Sequence, residues 1–198
     1  MARTSRAGQL QRIRRGAYVA PSTQPPEARD VHRRLIEATV KQGSTEAVVS
    51  HMSAAVLHGL PIWTDSLSRV HVTRDRGHGG KVRRYVHLHA TPLAEDELTE
   101  IDGLRVTTMA RTVVDLGRSL TQLRSVPIGD AALAQGLSID ELERAVARAA
   151  GRSGIGAARR MAAFCDGRSE SVGESTSRVV FSQVGIPAPS LQYEVLSA

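Results

Sequence analysis

The 198-residue chain suits one large or two small domains; 41% hydrophobic and 3% aromatic residues imply a Val, Leu, Ile and Ala core, and no apolar run of about 18 residues could span a membrane. Cys165 is the single cysteine, which excludes a disulfide framework and a zinc cluster of cysteines and fits a reducing, cytosolic setting. The whole formal charge of +6 sits in residues 1–34, where eight arginines face Glu27 and Asp30, while the remaining 164 residues balance. A basic terminus beside a neutral body points either to a polyanion partner, most often nucleic acid, or to a solvated tail.

In chain order, residues 1–8 show no periodicity, and their arginines lack the apolar stretch of a secretory signal. Ala17 and Val19 alternate with Tyr18, which predicts a short strand entered through a turn at Gly16. Residues 21–26 form a linker, and Pro25 and Pro26 are placed to open a helix over 27–42 with Ala28, Val31, Leu35, Ala38 and Thr39 on one face, stopped by Gly43. The stretch from Ser50 to Pro61 reads as a buried helix between a start signal at Ser50 and a stop at Gly59, rich enough in alanine to serve as a packing hub. Its His51 and His58 lie two turns apart. They are too few for a dedicated metal site, and hydrogen bonding against a sheet is the reading preferred.

Val70 and Val72 alternate with His71 and Thr73, and Val86 and Leu88 with Tyr85, His87 and His89. With Gly77 to Gly80 between them, this predicts a hairpin with a polar face. A second hairpin is predicted at Asp102-Gly103, between strands 98–101 and 104–107. Helices then follow from Thr108. The first carries Arg111 and Asp115 as an available ion pair worth about 0.3 kcal/mol. A second helix runs over 127–135. A third follows the capping box Ser138-x-x-Glu141, a fourth covers 157–165, and a fifth follows Ser171-x-x-Glu174. Residues 191–196 are strand-like.

The first candidate for chemistry is the basic hairpin, with Arg69, Arg74, Arg76, Lys81, Arg83 and Arg84 opposed only by Asp75. Such a hairpin suits a phosphate backbone or a minor groove, and the same cations would also blunt a sheet edge; nucleic-acid contact is favoured. His71, His87 and His89 share one face of it, with His78 at the turn. With no carboxylate or further ligand converging by spacing, no metal site is assigned. The acidic run of Glu95, Asp96, Glu97, Glu100 and Asp102 reads as solvated charge. Residues 151–156 are glycine-rich but follow a helix and miss the phosphate-loop fingerprint. No acid pair or nucleophile stands out, so no catalytic residue and no cofactor are expected.

Taken together, Ser50-His51-Met52-Ser53-Ala54-Ala55-Val56-Leu57-His58-Gly59-Leu60, Val70-His71-Val72-Thr73, the segment Gly103 to Thr108 and Arg111-Thr112-Val113-Val114-Asp115-Leu116 resemble actinobacterial AbiEi-like antitoxin and regulator proteins. The resemblance covers residues 9–135 or so. It implies a winged helix-turn-helix that binds operator DNA, an α/β body and a partner toxin, with Arg12, Arg14 and Arg15 at the end of the winged domain. The helices expected before that wing do not fit ahead of Arg12, so only a remnant is implied. Residues 168–175, 185–189 and 191–195 resemble the opening of a very-short-patch-repair-like endonuclease domain, with Glu174 on its first helix. The strands that bear that family's metal-binding residues are not in the sequence, which makes a working nuclease unexpected.

The reading is therefore an α+β protein. A basic arm and winged-helix remnant (1–22) lead into a mixed α/β body with two hairpins (23–135), a helical segment (136–167) and an incomplete endonuclease-like start (168–198). The expected function is DNA-binding regulation of the antitoxin type in the cytoplasm, through Arg12, Arg14, Arg15, Arg74, Arg76, Lys81, Arg83 and Arg84. The alternatives are a fragment of a metal-dependent DNA endonuclease and a protein-binding module.

Overall fold

The computed structural model describes residues 11–14, 17–19, 27–43, 46–63, 67–76, 79–187, 189 and 191. They form an α+β chain that divides into two compact units, residues 1–57 with 63–107 and residues 58–62 with 108–198. No helix among the described residues is long and apolar enough to cross a membrane.

The first unit opens with strands β1 (Gln11–Arg14) and β2 (Ala17–Val19), paired antiparallel with Gln11 opposite Val19. Helix α1 (Ala28–Gln42) follows the prolines as expected and ends at Gly43, whose N–H donates to the Val40 carbonyl. Its buried face is His32, Leu35, Ile36 and Thr39, and Val31 is 41% exposed, so the stripe is rotated from the one read in the sequence. The cause is His32, a polar residue that can be buried because both ring nitrogens are engaged, by the Leu67 carbonyl and the Ser53 hydroxyl, each at 2.9 Å.

After β3 (Val48–Val49), helix α2 (His51–Leu57) is buried at every residue, as the alanine-rich hub required. Strands β4 (Val70–Arg74), β5 (Lys81–Val82), β6 (Val86–Ala90), β7 (Leu98–Ile101) and β8 (Leu104–Thr107) join β3 in a mixed sheet of order β5-β6-β4-β3-β8-β7. The β7–β8 hairpin is the expected one: Asp102 and Gly103 take φ of 51° and 72°, the turn geometry that Asp-Gly favours.

The other hairpin differs from expectation. β4 and β6 are neighbours but run parallel, Val70 opposite Val86 through Arg74 opposite Ala90. The true hairpin is β5 with β6, Lys81 opposite Leu88. Sequence alternation reports which side chains share a face and is silent on strand direction. The short edge strand β5 reverses the chain before β6, and that reversal makes β6 parallel to β4. On one sheet face Val49, Val70, Val72 and Val106 pack with Leu35 and Ile36 of α1 and with Ala54 and Leu57 of α2.

The second unit is helical: α3 (Met109–Ser119), α4 (Gln122–Ala134), α5 (Ile139–Arg148), α6 (Ile155–Phe164) and α7 (Val172–Gln183). Thr108 caps α3, and Ser138 with Glu141 forms the full capping box of α5. Helix α4 begins five residues before Pro127, which lies inside it and cannot donate a hydrogen bond to the Leu123 carbonyl, so the proline does not mark the helix start as expected. Gly154, in the left-handed region at φ 80°, opens α6 against the Arg118 carbonyl, so this one glycine of the 151–156 stretch serves a close approach of backbone to backbone. Strand-like residues 192–196 lie outside the described residues.

Two buried carboxylates, Asp115 and Asp130, tie this unit through ion pairs. Arg111 and Asp115 meet at 2.8 Å with side chains 2% and 0% exposed, and Arg118 reaches the second Asp115 oxygen at 3.0 Å. Asp130 holds Arg178 at 2.9 Å and accepts the Asp166 N–H at 2.8 Å, while Arg178 also donates to the Phe164 carbonyl. The available intrahelical pair read from the sequence, at about 0.3 kcal/mol, is thus part of a desolvated network. Removing one partner strands a buried charge, so Asp115→Ala is expected to cost about 3–5 kcal/mol in urea unfolding. A loss below about 1 kcal/mol would show that the pair is solvated.

Candidate functional site

Two constellations arise on opposite faces of the sheet in the first unit, because residues two apart along a strand share a face. The even-numbered face carries the cations. Arg74 closes β4, Lys81 opens β5 opposite Leu88, and Arg83 follows in the β5–β6 turn. These three line a cavity of about 410 Å³ with an apolar wall of Val72, Val86 and Leu88 and the last turn of α1 on its other side. None of its lining residues among the described ones is acidic. The Nε of Arg74 is buried and without a hydrogen-bond partner, a donor whose desolvation is left uncompensated.

Among the described residues, the remaining predicted cations are not brought to this cavity. Arg76 is exposed and 3.6 Å from Glu46; Arg84 lies over the Tyr85 ring at 5.1 Å; Arg69 donates through Nε to the Arg83 carbonyl at 3.1 Å. Arg15 and His78 lie outside the described residues, as do the side chains of Arg12 and Arg14.

The odd-numbered face carries imidazoles. His71 of β4 lies opposite His87 of β6, and Thr73 opposite His89, so the shared face expected from alternation is present. His71 Nδ1 and His89 Nε2 are 3.1 Å apart, and the His87 and His89 rings stack at 4.0 Å. Sequence spacing missed the fourth member. His51, at the start of α2, stacks on His89 with ring centroids 3.6 Å apart and planes 11° from parallel. Its partner in the sequence reading, His58, belongs to the other unit. His51 takes φ of 50°, a left-handed conformation in which histidine is tolerated better than most residues. Its Nδ1 is 3.0 Å from the Ser50 hydroxyl, which accepts from Thr73 Oγ1 at 2.7 Å. Ser53 similarly accepts the His71 backbone N–H at 2.8 Å.

The other polar candidates have structural roles. Glu97 is buried, unlike the solvated charge expected, and its carboxylate accepts the Ala94 N–H at 3.1 Å. Glu174 serves the start of α7: its N–H donates to Ser171 Oγ, and its Oε2 accepts the Glu170 N–H at 2.9 Å. Cys165 is a buried free thiol, pushed up above the usual thiol range by burial first and then by Asp130.

Burial is also the main influence on three histidines. It lowers His32; it pushes His71 down to about 4, helped by His87, His32 and Arg69; and it lowers His87, helped by Arg69. A histidine whose folded value is depressed favours the neutral form in the fold. Its contribution to stability is complete above the unfolded value of about 6.5 and is lost as pH falls through the window toward the folded value. The urea midpoint is therefore expected to fall between pH 7 and pH 4.5, with a shallower fall in His71→Asn. Midpoints that rise on acidification would contradict these environments.

An α+β body bearing a cation-lined cavity and an imidazole cluster is what fold and site define. No family model matches the chain. It is 35% identical over 189 residues to the uncharacterized protein Rv2248 of Mycobacterium tuberculosis strain H37Rv, and equally to the uncharacterized protein MT2308 of strain CDC 1551 / Oshkosh. Each match covers 95% of this chain and 65% of the relative, so the chain spans somewhat less than two thirds of the curated relatives' length.

Proposed function

We propose that this chain binds DNA as a transcriptional regulator of the antitoxin type, acting in the cytoplasm as a binding protein. The observation that carries the DNA part is the meeting of Arg74, Lys81 and Arg83 at one cavity with no acidic residue among its described lining, and with a buried Arg74 Nε in need of an acceptor. A phosphate oxygen supplies that acceptor, and successive phosphates of a backbone supply the charge that balances the three cations. Arg76 and Arg84, exposed on the same segment, extend the contact along the backbone. Arg12, Arg14 and Arg15 add charge from the basic first 34 residues, which hold the chain's entire excess of +6. The antitoxin type and a partner toxin rest on the resemblance of residues 9–135 to AbiEi-like regulators.

Fluorescence anisotropy with a labelled duplex from the protein's own promoter and a scrambled duplex tests this. Binding is expected to prefer the promoter and to weaken steeply with salt, by about 0.9 in the log–log slope per phosphate contact. The double variant Lys81→Ala, Arg83→Ala is expected to weaken both duplexes and to lower the slope by about 2. Absence of binding even at low salt contradicts the proposal. Equal affinity for both duplexes contradicts its regulatory part.

A further inference from the structure

The imidazole cluster lies on the sheet face opposite Arg74, Lys81 and Arg83, with Arg69 as its cationic neighbour. We infer that His51, His71 and His89 form a binding site for a divalent transition-metal ion of the zinc class, with three imidazole nitrogens as ligands and the fourth position open to water or another small ligand.

The geometry is the first argument. One ring nitrogen from each of the three residues lies within 4.8 Å of the other two, and His71 Nδ1 and His89 Nε2 are 3.1 Å apart. A tetrahedral ion with metal–nitrogen bonds of about 2.05 Å sets its ligand nitrogens about 3.3 Å apart. The His71–His89 pair thus already stands at the edge length of such a site. His51 closes the triangle by rotating its ring off the His89 face, a side-chain movement that leaves the backbone in place.

The scaffold is the second. The ligands come from three elements, α2, β4 and β6, and the parallel register of β4 and β6 fixes the two strand-borne imidazoles relative to each other. In the metal-bound site the Ser50 hydroxyl accepts a hydrogen bond from the His51 Nδ1–H, which makes Nε2 the ligating atom, while Thr73 donates to the same hydroxyl from behind. An oriented partner on the non-ligating nitrogen is the usual support of a metal-bound imidazole. The left-handed backbone at His51, which presents the ring to His89, is a conformation that persists where its surroundings over-determine it.

Ligand chemistry sets the class of ion. Imidazoles without a carboxylate suit zinc, copper, nickel or cobalt and discriminate against magnesium and calcium. His87 stacks on His89 but stands outside the set of three convergent nitrogens, so it shields the site without ligating.

The test uses the full chain stripped with a chelator and titrated with Zn²⁺ by calorimetry, with Co²⁺ as a spectroscopic probe and Mg²⁺ as the control. One Zn²⁺ per chain at micromolar or tighter affinity, intense visible d–d absorption with Co²⁺ and no response to Mg²⁺ are expected. His89→Gln and His51→Gln, each checked for native circular dichroism, are expected to lose at least tenfold in Zn²⁺ affinity, and His87→Gln less than threefold. Should a variant fail to fold, the unaltered chain still decides, because the Co²⁺ spectrum reports low coordination number directly. No Zn²⁺ binding by the folded chain, an octahedral Co²⁺ spectrum, or undiminished binding in folded His51→Gln and His89→Gln would overturn the inference. DNA affinity does not enter these readouts, so this site and the proposed DNA interface stand or fall separately.

Discussion

Parallel pairing of β4 with β6 is the constraint from which both constellations follow. Five residues of each strand are in register, from Val70 beside Val86 to Arg74 beside Ala90. A direct hairpin between the same strands would leave Gly79 to Arg84 at its tip, with the cations fanned into solvent. Parallel pairing instead requires the chain to reverse through β5, which returns along the outer edge of β6 and sets Lys81 opposite Leu88. The cations are thereby folded back over the apolar wall of Val72, Val86 and Leu88, and on the other face His71, His87 and His89 are locked together. The two faces then differ in chemistry because of nothing more than the two-residue period of a strand.

What fills each face is decided by how its polar groups are satisfied. On the cluster side, hydroxyls carry the work. Ser53 bridges the His32 ring and the His71 backbone, and Ser50 bridges His51 and Thr73. These contacts explain why α2, with no charged residue, can be buried throughout and still bring a histidine to the sheet. In the helical unit the same logic is applied to full charges. Asp115 is shared by Arg111 and Arg118, and Asp130 is held by Arg178 and the Asp166 N–H, so each buried carboxylate has at least two partners. Pairs so desolvated add modestly to net stability, and they make the packing intolerant of losing one member.

Local chemistry was the legible part of the sequence. Asp102-Gly103 specifies its turn through positive φ at both residues, Ser138 and Glu141 cap a helix through their own atoms, and alternation assigned His71, His87 and His89 to one face. Each signal is complete within a few residues. What could not be read depends on neighbours remote in sequence. Strand direction at β6 is set by where β5 finds a partner; the burial of Arg111 and Asp115 is set by packing within the helical unit; the burial of His32 depends on Leu67 and Ser53. His51 joins the cluster because α2 packs on β4, and no spacing rule connects position 51 to position 89. The cations were recognised by type and number, but their division between the cavity and the outer surface was not.

The pairing itself is open to direct observation. Backbone nuclear Overhauser contacts between β4 and β6 distinguish the two directions without any variant or ligand. Parallel pairing predicts contacts between Val70 and Val86 and between Thr73 and His89, with Lys81 beside Leu88. Contacts placing Val70 beside Ala90 and Arg74 beside Val86 would mean a direct hairpin, and both the cavity and the cluster geometry would then be contradicted together.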